Sequence, residues 1–165
     1  MPLSKRRLII HEDQHWRSLR PLTDLLPVPA LAFGASDLAR RWLDYSRLPL
    51  FSIEARAEAM AGWHAAPVPD TSAIDPADDA VVVNAAALPG PWFDSVLESR
   101  TPALFLSSGR VAAARLPLAM LRGGIGRGAD FEMVLLGSAL TALPVQATFL
   151  DWPWDLMARN TEAIA

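Results

Sequence analysis

An α/β domain built on a mostly parallel sheet is the fold class this sequence predicts. Short apolar runs, Leu8-Ile9-Ile10 and Val81-Val82-Val83, read as buried strands, because near-continuous apolar strands belong in sheets covered on both faces. Between such runs lie segments with helical spacing, as at Leu38, Trp42 and Leu43, and strands alternating with helices define the class. With 165 residues, 52% of them hydrophobic and 20% charged, the chain can bury a real core, so residues 1–165 are expected to form one domain.

Taken in order, residues 7–11 predict a short first strand. Residues 13–20 fit a helical turn or loop, and Pro21, Pro27 and Pro29 keep 21–30 out of regular helix. A brief strand at 31–33 is stopped by Gly34. Ser36 is the expected N-cap, with Asp37 in the first turn of a helix reaching about Tyr45. Residues 48–53 read as a second strand and 54–63 as an Ala-rich helix. Segment 65–79 carries three prolines and four aspartates, and is expected to be a mobile loop or lid. After the Val81-Val82-Val83 strand, Pro89-Gly90-Pro91 opens a helix over 92–99. Residues 103–106 and 111–116 flank Ser107-Ser108-Gly109, the pattern of a hairpin. The chain then predicts a helix over 131–143, a last strand over 145–149 and a final amphipathic helix over 154–164.

Several function classes are set aside by composition. A net charge of −3 offers no basic excess to displace counterions from nucleic acid. The absence of cysteine excludes thiolate chemistry and disulfides. The apolar run after Lys5-Arg6-Arg7 is only three residues long, so neither export nor a membrane span is expected, and the expected location is cytoplasmic.

The stretch from Leu8 to Thr23 concentrates the chemistry. Its apolar run ends in His11, Glu12, Asp13, His15 and Arg17, and a strand ending in polar groups is how an α/β sheet presents a site at its carboxyl edge. His11-Glu12-x-x-His15 also spells a zinc-peptidase pattern. That reading needs both histidines on one helical face, whereas Leu8-Ile9-Ile10 predicts a strand; no third histidine stands at the required offset, and a glutamate, Glu54 or Glu58, is the alternative ligand. Zinc is therefore not expected, and replacing His11 is expected to leave stability nearly unchanged. Residues 122–128, Arg-Gly-Gly-Ile-Gly-Arg-Gly, form a glycine-rich loop. Its amides could converge on an anion near Gly124 and Gly126, with Arg122 and Arg127 as phosphate partners. It matches neither the P-loop nor the full dinucleotide pattern, and a surface loop competes with the phosphate reading. Trp152-Pro153-Trp154 fits stacking on sugars or bases, or a core or interface role.

Several blocks together resemble one family. They are residues 9–13 with Trp16 and Pro21-Leu22-Thr23; Pro27-Val28 and Gly34; Val82-Val83-Asn84-Ala85 with Leu88-Pro89; Val111-Ala112-Ala113; and Trp154-Asp155-Leu156 with Asn160. In this order they look like the sugar nucleotidyltransferase domain that precedes a left-handed β-helix in proteins similar to bacterial N-acetylglucosamine-1-phosphate uridyltransferase. The resemblance implies a nucleotidyltransferase-like three-layer sandwich. It implies nucleotidyl transfer from a nucleoside triphosphate to a sugar 1-phosphate, with Mg²⁺ and release of pyrophosphate. Glu12, Asp13 and Thr23 would line the nucleotide end, Gly34 and Asn84 would also bind there, with Asn84 toward the sugar, and Asp13 would hold the metal.

The chain departs from that pattern at three arginines, where Leu26, Ala32 and Ala86 stand. Arg20, or the Arg122 and Arg127 loop, is the expected substitute cation. Reduced or lost activity is one expectation, and a non-catalytic interaction module of the same fold is the alternative. The β-helix repeats of the family are absent from residues 1–165, which leaves two expectations: an isolated domain, or a β-helix acyltransferase-like partner domain lying elsewhere.

Overall fold

The computed structural model describes residues 5–63 and 68–164. In chain order the strands and helices are β1 (Arg6–His11), β2 (Ala32–Phe33), β3 (Ser36–Asp37), α1 (Leu38–Ser46), β4 (Leu50–Glu54), α2 (Ala57–Met60) and β5 (Asp79–Asn84). They continue with α3 (Trp92–Glu98), β6 (Ala103–Ser107), β7 (Arg110–Pro117), α4 (Phe131–Gly137), β8 (Thr141–Pro144), α5 (Pro153–Ala158) and α6 (Asn160–Ile164). Six strands form the central sheet in the order β4-β1-β5-β7-β6-β8, and only β7 runs against the rest. The expected α/β class and mostly parallel sheet are what the chain adopts.

Strand alternation divides the core into two layers. Leu8, Ile10, Val81 and Val83 face α1 and α3, where Leu38, Trp42, Phe93 and Val96 are buried. Ile9, Ala80, Val82 and Leu116 face the other way, onto Leu118, Leu121, Phe131 and Leu135. This alternation is why apolar runs occupy the central strands: each successive residue meets a different covering layer. Trp42 closes the first layer. It is fully buried, packs edge-on to Phe93 and Trp92, and donates its indole N–H to the Ala87 carbonyl at 3.0 Å.

Several elements differ from the sequence reading, each for a local reason. The N-cap of α1 is Asp37, not Ser36; its carboxylate accepts from Arg40 N–H at 2.7 Å. The helix expected over 54–63 shrinks to α2, because Glu54 stays in register with His11 as the end of β4. The helix expected over 131–143 stops at Gly137, Ala139 takes a left-handed φ of 53°, and the chain re-enters the sheet as β8. No strand forms over 145–149, because its backbone groups serve different partners. Val145 N–H bonds Leu106 O, while Leu88 N–H bonds Thr148 O. The segment over 154–164 is two helices, α5 and α6. Strand β7 stands between β5 and β6, delivered by the two-residue turn Ser108-Gly109 with both φ angles positive.

Of the segment 65–79, residues 65–67 lie outside the described residues. The remainder is tied down by Ile74, buried in the second layer, and by Asp78, which accepts from Lys5 N–H at 3.2 Å and pairs with Arg7. Among the described residues no helix is long and apolar enough to cross a membrane.

Truncating Trp42 to Ala should cost about 3–5 kcal/mol, the range for emptying an aromatic core site. Trp42→Phe should cost about 1–3 kcal/mol, mainly from stranding the buried Ala87 carbonyl. Urea denaturation of the two variants checks the order.

Candidate functional site

The carboxyl edge of the sheet carries a polar row. His11 ends β1, and its register partners are Glu54 on β4 and Asn84 on β5. All three are buried. They share the face of Ile9 and Val82, so they lie under the second covering layer, where the His11 ring sits 6.0 Å from that of Phe131. The chain then turns through Glu12 and Asp13, which point into two separate clusters.

Glu12 forms the first cluster with Arg56. Its Oε1 accepts from Arg56 Nε at 2.7 Å, and its Oε2 accepts from Val28 N–H at 2.7 Å. Arg56 Nη2 donates to the carbonyls of Thr23 and Leu26, at 2.8 and 3.2 Å, and its guanidinium lies 3.7 Å over the Trp16 ring. Thr23 turns its hydroxyl inward to the Trp16 carbonyl at 2.8 Å. Glu12 and Thr23, both expected at the nucleotide, therefore complete an internal clamp.

Asp13 forms the second cluster with Arg110 at the start of β7. One carboxylate oxygen accepts from Arg110 Nε at 2.5 Å and Asn84 Nδ2 at 2.8 Å; the other accepts from Arg110 Nη2 at 3.0 Å and His15 N–H at 3.1 Å. Burial pushes the Asp13 carboxyl up, but the hydrogen bonds and charge of Arg110, aided by Asn84, outweigh it and hold the group below its usual range. Arg110 Nη1 also donates to Asp151 at 2.7 Å, and its guanidinium lies 4.1 Å over Phe149. Asn84 is satisfied as well, donating to Val111 O and accepting from Ala86 N–H. Beside this cluster opens a cavity of about 330 Å³ lined by His15, Ser107, Ser108, Arg110, Phe149 and Asp151.

The glycine-rich loop does hold an anion, and the anion is Glu54. Gly126 N–H donates to its two carboxylate oxygens at 3.0 and 3.1 Å, and Gly128 N–H donates at 3.1 Å. Burial raises the Glu54 pKa, and those two amides offset it only in part. Gly124 packs against Val134, while Arg122 and Arg127 are exposed. Arg20 pairs with Asp24 at 2.5 Å on the surface. Gly34 donates to Asn160 Oδ1 at 3.0 Å, and Ala163 of α6 fills the space where its side chain would stand. The structure thus joins Asp13 with Asn84 and Glu12 with Thr23. It leaves Arg20 and Gly34 in contacts of their own.

The residues present do not fit a Mg²⁺ ion held by Asp13, because both its oxygens are engaged by nitrogen donors. The helical zinc motif is not formed either. His11 ends a strand and is buried, whereas His15 is exposed on the 3₁₀ turn Gln14–Leu19. Among the described residues no three His, Cys, Asp or Glu side chains come together as ligands.

Sequence reasoning missed Arg56, Arg110 and Asp151, and weighed Glu54 only as a zinc ligand. A signal existed for two of them. Glu54 and Arg56 directly follow an apolar run, as Glu12 and Asp13 do, so two neighbouring strands deliver opposite charges to one edge.

A family model described as sugar nucleotidyl transferase matches residues 8–165. Among solved structures, one from Bacillus anthracis, provisionally assigned as a glucose-1-phosphate thymidylyltransferase and bound to sucrose, superposes with a TM-score of 0.55. It is 12% identical, over 98% of this chain and 96% of that one, a likeness of fold. A homologue, from Mycobacterium sp. strain JC1, of a Mycobacterium tuberculosis protein gives a TM-score of 0.48 at 14% identity, covering 98% of each chain. No curated protein matches.

Removing one partner of the Glu12–Arg56 pair strands a buried charge, so Glu12→Gln should cost about 3–5 kcal/mol. The double variant Glu12→Leu/Arg56→Met should lose less than the sum of the single losses in a double-mutant cycle.

His11 gives a pH test. Burial lowers its pKa from 6.5 to about 4, with Asp13 opposing only in part. Above pH 6.5 neither folded nor unfolded chain holds the proton, and His11 contributes no pH dependence. As pH falls toward 4 the unfolded chain binds a proton that the folded chain refuses, so about 3 kcal/mol of stability is lost. His11→Leu should flatten the stability–pH curve in that window, as urea denaturation at stepped pH would show. The earlier expectation that His11 is dispensable for stability is corrected by its burial: His11→Ala should leave a destabilising cavity.

Proposed function

The chain belongs to the sugar nucleotidyl transferase family, and on that premise we propose that it is a cytoplasmic domain of reduced nucleotidyl-transfer activity. The reaction is transfer from a nucleoside triphosphate to a sugar 1-phosphate. The observation that carries the proposal is that Glu12 and Asp13 are each closed by an arginine, with every carboxylate oxygen already bonded.

The electrostatics support reduced turnover. Separating phosphates needs preorganised cations where negative charge develops. Leu26, Ala32 and Ala86 supply none. Arg56 is turned inward, and Arg110 already answers two carboxylates. Arg20 lies in a surface pair, and Arg122 and Arg127 ride on a loop whose amides hold Glu54.

A second reading, an interaction module of the same fold, is favoured by the surface at α5. Trp152 and Trp154 stack at 5.2 Å with their planes 6° apart, both exposed, beside an exposed Met157. A β-helix acyltransferase-like domain is the partner in this reading.

Pyrophosphate release, measured over a panel of triphosphates and sugar 1-phosphates with Mg²⁺, should stay below about 1 s⁻¹, the lower end of usual turnover. Rates of roughly 1–10³ s⁻¹ would refute the reduced-activity reading. In that case Arg20→Ala and Arg127→Ala would identify which cation had moved in.

A further inference from the structure

We propose that a cavity of about 490 Å³ beside α1 is a binding site for a small organic monocarboxylate with an apolar body. Its walls come from Phe33 and Ser36 of the β2–β3 hairpin, Arg41 and Tyr45 of α1, and Leu88 and Pro89 after β5, with Glu162 of α6 at the rim. That volume falls within the range of small-molecule sites, about 300–1,000 Å³. The cavity shares no residue with the Glu12–Arg56 and Asp13–Arg110 clusters of the carboxyl edge.

The walls are held in place before any ligand arrives. Asp44 and Tyr45 follow Arg41 at helical neighbour spacing, so one face of α1 carries all three. Tyr45 is set edge-on to Trp42 and packs against Phe93, with ring centres 6.3 and 6.2 Å away. Leu88 donates its N–H to Thr148 O at 2.8 Å, and its carbonyl accepts from Trp92 Nε1 at 3.0 Å. Helix α6 is seated by Gly34 N–H on Asn160 Oδ1 and by Arg41 Nη2 on Ala163 O at 2.8 Å. Walls already bonded to one another need little further ordering on binding.

Charge selects the ligand class. Among the described residues Arg41 pairs with no carboxylate. Its guanidinium lies 4.9 Å over the Phe33 ring, and its one side-chain hydrogen bond goes to the Ala163 carbonyl. Nε is buried without a partner, and Nη1 has no acceptor either. A partly buried cation with unspent donors is satisfied best by an acceptor that carries negative charge. The nearby acids do not serve it: Asp44 pairs with Arg40 at 2.9 Å, and Glu162 with Arg159 at 3.6 Å. They repel an incoming anion in proportion to its charge, which favours a monoanion over a phosphate dianion. Phe33, Leu88 and Pro89 then suit an apolar body behind the carboxylate.

The readouts need no transfer substrate, so a failed transfer assay leaves them untouched. Phenylacetate titrated into the full chain should give saturable NMR shifts at the amides of Phe33, Ser36, Arg41, Tyr45 and Leu88, with those of His11, Asn84 and Arg110 unmoved. Phenylacetamide, the neutral counterpart, should bind at least about tenfold more weakly, as for loss of a charge-assisted hydrogen bond. Phenyl phosphate should bind no more tightly than phenylacetate. Arg41→Gln, which keeps a donor for Ala163 O, should weaken phenylacetate at least about tenfold. Asp44→Asn removes a neighbouring negative charge, leaves Arg41 in place and should tighten it. No saturable shift at millimolar phenylacetate, shifts centred on the carboxyl edge, or unchanged binding in a folded Arg41→Gln variant would overturn the site. Equal binding of the amide or tighter binding of phenyl phosphate would overturn the ligand class. Where Arg41→Gln fails to fold, Asp44→Asn decides: binding that does not tighten refutes the charge argument.

Discussion

The buried pairing of Glu12 with Arg56 is the interaction on which the rest of the carboxyl edge depends. It joins the turn after β1 to the turn after β4, and through Val28, Thr23 and Leu26 it holds most of the irregular segment between β1 and β2. That segment contains no long helix or strand, only short 3₁₀ turns and prolines. Its backbone groups need partners from somewhere. One guanidinium, 3.7 Å over the Trp16 ring, supplies several of them at once. Buried ion pairs are seldom better than a well-packed apolar substitute for stability. What this one contributes is position: it sets where Asp13 points.

With Asp13 set, the second cluster follows. Arg110 reaches it only because β7 runs against its neighbours, so that the start of β7 lies level with the ends of β1 and β5. The tight turn at Ser108-Gly109 places it there, and Asp151, just before α5, closes the guanidinium from the far side. Three acids, Glu12, Asp13 and Asp151, thus meet two arginines, while glycine amides serve the fourth, Glu54. An edge whose cations are already spent on its own acids has little left for a phosphate chain.

The central fold was legible because burial on two faces writes itself into sequence. Leu8-Ile9-Ile10 and Val81-Val82-Val83 admit few other readings, and Trp42 at helical spacing marks the face of α1. The periphery was less legible. Residues 131–149 carry apolar residues suited to either helix or strand, and only the bonding needs of β6 decide that Thr141–Pro144 joins the sheet. The acids Glu12 and Asp13 were correctly placed at a strand end, yet their state was hidden. Whether a carboxylate faces a ligand or an arginine depends on partners 44 and 97 residues away, a separation that no local pattern encodes.

The glycine-rich loop shows the same limit in reverse. Its residues left an anion cradle and a surface loop as competing readings, and the Gly126 and Gly128 amides converge on a carboxylate of the chain itself. Glycines at positive φ turn successive N–H groups toward a single point whatever the anion is. A phosphate and a carboxylate satisfy those amides alike, so the motif constrains charge and geometry without naming the occupant. Here the occupant comes from the neighbouring strand, in register with His11. The consequence is a competition. An external anion reaches these amides only by displacing Glu54, leaving a buried carboxylate without its amide donors.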